Sequence, residues 1–122
     1  MSGWIAVDLD GTLAHYEHWV EGTIGEPIKA MADRVRAWLA SDKDVRIFTA
    51  RVAETGLRNQ VGGVDDETFA TAQRKLIQDW CEKHFGKRLP VTATKDFGMV
   101  ELWDDRCVQV ICNTGKRADG EA

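Results

Sequence analysis

The feature that most constrains the fold is a short apolar run that ends abruptly in acidic residues. Residues 4–7 are Trp-Ile-Ala-Val, and the run DLDGT follows at residues 8–12. An apolar run without polar alternation is typical of a strand that is buried on both faces of a parallel sheet. Ligands of such sheets bind beyond the carboxyl ends of the strands. The start of the chain therefore predicts an α/β fold with acidic side chains at its functional edge.

The rest of the chain alternates between helix and strand patterns. Apolar residues recur at helical spacing over residues 28–39 and again over residues 69–81. β-branched and aromatic residues predict four further strands, at 45–49, 91–93, 100–103 and 108–112. Helices between strands imply right-handed crossovers, so we expect a mainly parallel sheet of about five strands.

Length and charge restrict the class of protein. A chain of 122 residues with 43% hydrophobic residues fits one domain, expected over residues 1–114, with a poorly ordered tail over 115–122. The net charge of −4 disfavours binding of nucleic acid through its phosphates, except as a substrate. No apolar run approaches the roughly 20 residues that cross a bilayer, and no signal peptide is recognisable. We therefore expect a cytoplasmic protein that does not bind membranes.

The cysteines fit this expectation. Cys81, Cys107 and Cys112 form no CxxC pair, and three cysteines cannot all pair in disulfides. No histidine lies at the spacing of a zinc site. We expect reduced thiols, most of them buried.

Two acidic pairs follow the first and fourth predicted strands. Asp8 and Asp10 are two residues apart at a strand end, so their side chains project to the same side. Asp104 and Asp105 follow the strand at 100–103. Carboxylates that meet at one edge repel each other unless a cation lies between them, and Mg²⁺ prefers carboxylate and water oxygens. The sequence predicts a magnesium site.

A hydroxyl and a cation are expected at the same edge. Thr49 ends the second strand, and Lys95 follows the third. A neutral donor and a positive charge can hold a phosphoryl group, whose oxygens share negative charge. Arg51, in the loop after the second strand, and Trp19, in a short flap before the first helix, are candidates for further substrate contacts.

In this order, the motifs resemble those of the haloacid dehalogenase-like phosphohydrolase superfamily. The run DLDGTL at residues 8–13, then Thr49, Lys95 and the pair Asp104 and Asp105 match its four motifs and span nearly the whole chain. The resemblance implies a Rossmann-like three-layer sandwich, Mg²⁺ as cofactor, and hydrolysis of phosphomonoesters through an aspartyl phosphate.

The resemblance also implies a role for each matched residue. Asp8 would be the nucleophile, and a carboxylate is ionised at neutral pH without a base. Asp10 would protonate the leaving oxygen and then activate water, while its backbone carbonyl would bind the metal. Thr49 and Lys95 would bind phosphoryl oxygens. The implied metal site is completed by Asp8, by Asp104 as a direct ligand, and by Asp105 as a ligand or through a bound water.

The subclass follows from what is present and what is missing. Asp10 and Asp104 argue against the dehalogenases, which need neither a metal nor a second acid, and the ion-pumping branch has Thr in place of Asp10. A phosphatase remains, with a phosphomutase as the lesser alternative. The fourteen residues between Leu13 and Ile28 can form a flap but not a cap domain. In this superfamily, capless sites often receive large phosphoesters or are closed by a second subunit, such as in a homodimer.

Other functions stay open at this point. A phosphatase that processes ends of nucleic acids or nucleotides would suit an open site, although the net acidity does not favour it. A receiver-like signalling domain also contains acids, a Thr and a Lys, but in a different order along the chain. A metal-binding scaffold without catalysis is the remaining alternative. The sequence contains no motif that identifies the substrate.

Overall fold

The computed structural model describes residues 3–54 and 66–120, except the side chain of Asp66. Its strands are β1 (Trp4–Val7), β2 (Asp44–Phe48), β3 (Val91–Thr92) and β4 (Met99–Trp103). Its helices are α1 (Lys29–Ala40) and α2 (Asp66–Phe85), and a 3₁₀ turn, Ala50–Val52, follows β2. The succession of strands and helices confirms the predicted α/β class.

The four strands form one parallel sheet in the order β3-β2-β1-β4. The central strand is β1, in which all four residues are buried. Val7 lies opposite Ile47 of β2 and Trp103 of β4. The carboxyl ends of these three strands therefore meet side by side, and the residues that follow Val7 emerge in the middle of that edge.

One face of the sheet packs against both helices. This core contains Ile5, Val7, Met31, Val35, Val45, Ile47, Ile77 and Cys81. Arg36 of α1 also donates a hydrogen bond of 3.4 Å to the carbonyl of His84 in α2. Both described helices thus lie on the same face, and the second helical layer of the expected three-layer sandwich is not seen within residues 3–54 and 66–120. On the other face, Trp4 stacks on Phe48.

The predicted fifth strand, at 108–112, is wrong. Val110 instead forms an isolated antiparallel bridge with Arg117, and the Ile111 N–H donates to the Lys116 carbonyl at 2.8 Å. Val108, Val110 and Ile111 are each about half exposed. β-branched residues favour extended backbone, but a strand also needs a neighbouring edge and a face to pack on, and this segment turns back on itself. The sheet of the described chain has four strands.

The prediction that most cysteines are buried is also wrong. Cys81 is buried in α2, whereas Cys107 and Cys112 are exposed, and all three are free thiols. Burial raises the pKa of Cys81 to about 12, so this thiol is inert at neutral pH. Cys112 ends the segment 108–112 that was predicted as a strand, and Cys107 directly precedes it.

Between β1 and α1 the described chain forms a short flap, residues 15–25, and no larger insertion. An antiparallel bridge between Ala14 and Pro27 closes its base. The indole N–H of Trp80 in α2 donates to the carbonyl of Gly25 at 3.1 Å and holds the flap against the helix. Among the described helices, none has the length and apolar character to cross a bilayer.

Candidate active site

A cleft of about 720 Å³ opens at the carboxyl edge of the sheet. Of the residues predicted from the sequence, it is lined by Asp8, Asp10, Trp19, Thr49, Arg51, Asp104 and Asp105. Residues far apart in sequence meet there because β1, β2 and β4 are neighbours and parallel. Tyr16 of the flap, which the sequence also offers as a substrate contact, lines the cleft as well, as do Phe48, Phe69 and Arg106, which were not predicted as site residues.

Three carboxylates form a cluster at one end of the cleft. Asp8, Asp104 and Asp105 each place one oxygen within 4.8 Å of the others. The sheet creates this cluster, because the Asp8 N–H continues the β1–β4 ladder by donating to the Trp103 carbonyl at 2.9 Å. The side chain after β1 is thereby brought beside the two that follow β4.

Thr12 connects the two sides of this cluster. Its hydroxyl oxygen lies 3.2 Å from both Asp8 Oδ2 and Asp105 Oδ1, and it accepts a hydrogen bond of 3.0 Å from the Asp105 N–H. The hydroxyl can donate to only one carboxylate at a time, so it leaves the negative charge of the cluster largely unbalanced. The sequence signal for Thr12 was its place in the DLDGTL run.

The electrostatics of the cluster indicate a need for positive charge. Burial, a hydrogen bond with Asp105 and the charge of Asp104 together raise the pKa of Asp8 to about 7. The pKa of Asp105 lies below its usual value, because hydrogen bonds from Asp8, its own backbone N–H and Thr12 outweigh the effect of burial. A divalent cation would allow all three carboxylates to be ionised at neutral pH. A set of carboxylate oxygens fits Mg²⁺.

The carboxylate of Asp10 is held outside this cluster, by Arg51. The Arg51 Nε–H donates to Asp10 Oδ2, and Nη2–H donates to Asp10 Oδ1, each at 2.8 Å. Asp8 and Asp10 therefore line the same cleft with different partners. The resemblance implies only the backbone carbonyl of Asp10 as a metal ligand, and the geometry of its side chain is compatible with that role.

The end of β2 directs Arg51 into the cleft. Thr49 is buried, and its hydroxyl oxygen accepts a hydrogen bond of 3.1 Å from the Arg51 N–H, which caps the 3₁₀ turn. On the far side, Gln73 of α2 accepts a hydrogen bond of 3.0 Å from Arg51 Nη1. Gln73 is buried and was not predicted, although it lies four residues from both Phe69 and Ile77 on the buried face of α2.

Aromatic residues also line the cleft. The Trp19 ring of the flap lies over the Arg51 guanidinium, 4.7 Å from ring centroid to Cζ, and 6.2 Å from the ring of Phe69. Trp19 and Tyr16 are both about 40% exposed, so part of each ring faces solvent. The flap thus places planar apolar groups near the cluster.

Lys95 is placed differently from the other predicted residues. It lies in the loop between β3 and β4 with an exposed side chain, and it does not line the cleft. Arg106 does line the cleft, and its N–H donates to Asp104 Oδ1 at 2.8 Å. The contact of Lys95 with a phosphoryl group stays a prediction, and Arg106 is a second candidate for the same role.

The turn after Asp10 requires a residue without a side chain at position 11, and this residue is Gly11. Its φ is +87°, and a Cβ at this position would lie 2.7 Å from Asp105 Oδ2. We expect Gly11→Ala to destabilise the protein by about 1–2 kcal/mol through its left-handed backbone and to displace Asp105 as well. Thermal unfolding and Mg²⁺ titration measure the two effects.

Gly86→Ala is the matched control for this substitution. Gly86 has a φ of +74°, but a Cβ there would meet nothing within 4 Å. It should lower stability by a similar amount and leave Mg²⁺ affinity unchanged. Equal Mg²⁺ affinity in both variants would contradict the close approach of Gly11 to Asp105.

Comparison with known proteins supports the fold. No family model and no curated protein sequence matches this chain. The solved structure of a conserved protein from Bacteroides thetaiotaomicron is similar to it, with a TM-score of 0.57 and 18% sequence identity, over 88% of this chain and 79% of that protein. At this identity the similarity shows a shared fold and says nothing of the reaction.

Proposed function

We propose that this protein is a magnesium-dependent phosphomonoesterase of the haloacid dehalogenase-like type, with Asp8 as the nucleophile. The observation that carries the proposal is the meeting of Asp8, Asp104 and Asp105 at the carboxyl edge of a parallel sheet. Asp10 and Thr49 line the same cleft. Their order along the chain is the order that the resemblance requires.

The metal would be held by Asp8, Asp104 and Asp105, whose oxygens lie within 4.8 Å of one another. When bound, Mg²⁺ would neutralise these carboxylates and stabilise negative charge on the phosphoryl oxygens. With its charge balanced in this way, Asp8 would be ionised at neutral pH despite the burial that raises its pKa to about 7 without the metal. The nucleophile is therefore available without a separate base.

The reaction needs two proton transfers, and the proposal assigns both to Asp10. An Asp8 oxygen attacks phosphorus, the bond to the ester oxygen breaks, and Asp10 gives its proton to that leaving oxygen. Asp10 then takes a proton from the water that attacks the aspartyl phosphate, which releases inorganic phosphate and regenerates Asp8. The Thr49 hydroxyl, which accepts from the Arg51 N–H, keeps its own proton for a phosphoryl oxygen.

The first experiment is a phosphate-release screen with Mg²⁺ that compares Asp10→Asn with the wild-type protein. On alkyl phosphates this variant should lose roughly 10²- to 10⁴-fold in rate, because the leaving oxygen is no longer protonated. On p-nitrophenyl phosphate the release of nitrophenolate in the first turnover should be nearly preserved. Asp33→Asn, on the exposed face of α1, is the control. Equal losses in the first-turnover release of the leaving group from both esters would contradict the acid role.

One observation favours a particular group of substrates. The cleft is lined by the rings of Tyr16, Trp19, Phe48 and Phe69 and has a volume well beyond that of a phosphate ion. Aromatic side chains stack on nucleobases without strong sequence preference. Nucleotides and phosphorylated ends of nucleic acids are therefore the second candidate function, and Trp19 is the proposed contact for the ring. The same screen, run with nucleotides and phosphorylated oligonucleotides and with sugar phosphates, decides whether substrates that carry a nucleobase are preferred.

A further inference from the structure

We propose that Arg51 is a positioning residue that fixes the carboxylate of Asp10 for proton transfer, and that Gln73 and Trp19 in turn hold Arg51. The proposal rests on the proposed function, since it gives Asp10 the task of moving protons. It assigns Arg51 a role that differs from the substrate contact expected from the sequence. It also gives a role to Gln73, which lies on α2 and does not line the cleft.

Arg51 and Asp10 form a bidentate contact with two hydrogen bonds. Nε–H and Nη2–H of Arg51 meet the two carboxylate oxygens of Asp10, both at 2.8 Å. A planar guanidinium that forks a carboxylate fixes both the position and the rotation of the carboxylate plane. With both oxygens accepting from Arg51, this carboxylate can take the proton of the water that attacks the aspartyl phosphate, and its reach to that water depends on the orientation.

The guanidinium is itself held on its other sides. Nη1–H donates to the Gln73 side-chain oxygen at 3.0 Å, and the Trp19 ring covers its face. Arg51 is 7% exposed and Gln73 is 3% exposed. If Arg51 turned towards a substrate, the buried Gln73 amide and the Asp10 carboxylate, whose side chain is 22% exposed, would lose their hydrogen bonds to it, which is unfavourable.

The same chain contains a matched control at the opposite end of β2. Arg46 forks Asp44 with hydrogen bonds of 3.1 and 2.9 Å, and its guanidinium lies 4.8 Å from the Trp4 ring centroid. This pair has the same chemistry as Arg51 and Asp10, but neither Arg46 nor Asp44 lines the cleft. The variant Arg46→Met therefore measures the effect of losing an arginine with the same kinds of contact outside the cleft, and it serves as the comparison for Arg51→Met.

The experiment measures kcat and KM for an alkyl phosphate and for p-nitrophenyl phosphate, together with the first-turnover release of nitrophenolate, with Mg²⁺, in Arg51→Met, Gln73→Leu and Arg46→Met. Arg51→Met should lower kcat on the alkyl phosphate by about 10²-fold while KM changes by less than about 3-fold. Gln73→Leu should show the same pattern with a smaller loss, about 10-fold. Both should retain the first-turnover release of nitrophenolate from nitrophenyl phosphate, which needs no proton from Asp10, and Arg46→Met should match the wild-type protein.

A double variant separates positioning from binding. In an Asp10→Asn background, Arg51→Met should lower kcat by less than about 3-fold more, because there is no proton-transfer group left to position. A KM that rises about 10-fold on both esters, with losses that multiply in the double variant, would mean that Arg51 binds the phosphoryl group and would overturn the proposal. Arg51→Lys should recover little, since an ammonium cannot fork a carboxylate.

A spectroscopic readout is independent of activity and of folding losses in Arg51→Met. The Arg51 Nε–H should give a slowly exchanging NMR signal in the wild-type protein that persists in Asp8→Asn and is lost in Asp10→Ala. Absence of this signal in an active enzyme overturns the positioning role alone. If the slowly exchanging Arg51 Nε–H signal is present but the protein hydrolyses no phosphomonoester, the proposed function is overturned. The proton-transfer role of Asp10 is then overturned as well.

Discussion

Asp8→Asn should abolish phosphate release, with a loss of at least about 10⁴-fold, in a protein that remains folded. The amide has the shape of the carboxylate and can still accept a hydrogen bond from Thr12, which lies 3.2 Å from Asp8 Oδ2. It cannot form the aspartyl phosphate, because a neutral amide oxygen is a poor nucleophile. Single-turnover release of nitrophenolate measures this step directly. Turnover close to that of the wild-type protein would show that another group is the nucleophile.

The same substitution should change stability in a direction that depends on pH. The pKa of Asp8 is raised to about 7 in the folded protein, so this carboxyl stabilises the fold below its unfolded pKa. That contribution is lost as the pH rises from about 4 through 7. In chelator at pH 8, Asp8→Asn should therefore be more stable than the wild-type protein, on the order of 2 kcal/mol after allowance for partial exposure.

Thermal unfolding at pH 5 and pH 8 measures this difference, with Asp33→Asn as the exposed control. At pH 5, where Asp8 is protonated in the folded protein, the advantage of Asp8→Asn should be small. An equal advantage at both pH values would mean that the asparagine stabilises the turn for reasons other than charge.

The features that could be predicted from the sequence depend on local pattern. The unbroken apolar run of β1 required a strand with both faces covered, and Trp4–Val7 is buried throughout. The order of strands and helices implied a parallel sheet, and a parallel sheet brings the residues after β1, β2 and β4 to one edge. This is why the carboxylate cluster and Thr49 could be placed in one cleft.

The features that could not be predicted depend on which partner a residue meets. Residues 108–112 have the composition of a strand, but composition does not supply a neighbouring edge. Arg51 was recognised as a loop arginine near the active edge, yet its partners Asp10 and Gln73 are 41 and 22 residues away in sequence. Lys95 has the position in the chain that the resemblance requires, but order alone did not determine that its side chain would be exposed in a loop outside the cleft.

Removal of magnesium should reduce phosphate release by at least about 10³-fold, and added Mg²⁺ should restore it fully. Without a cation, Asp8, Asp104 and Asp105 lie together with unbalanced charge, and Asp8 is partly protonated near pH 7. A phosphate dianion that approaches them is repelled, and the nucleophile is in part neutral. Phosphate release in chelator, followed by titration with MgCl₂, measures the effect.

Variants of the cluster distinguish a bound metal from a general salt effect. Asp104→Asn and Asp105→Asn each remove a ligand charge, so both should raise the Mg²⁺ concentration needed for half-maximal activity, whereas Asp33→Asn should not. Mg²⁺ should also raise the unfolding temperature at pH 8 through its binding to the folded state, and NaCl of equal ionic strength should not. Because the cation replaces the proton as the partner of Asp8, saturating Mg²⁺ should flatten the fall in stability between pH 5 and 8. Activity that survives thorough chelation would contradict the metal site and, with it, the role of the three carboxylates.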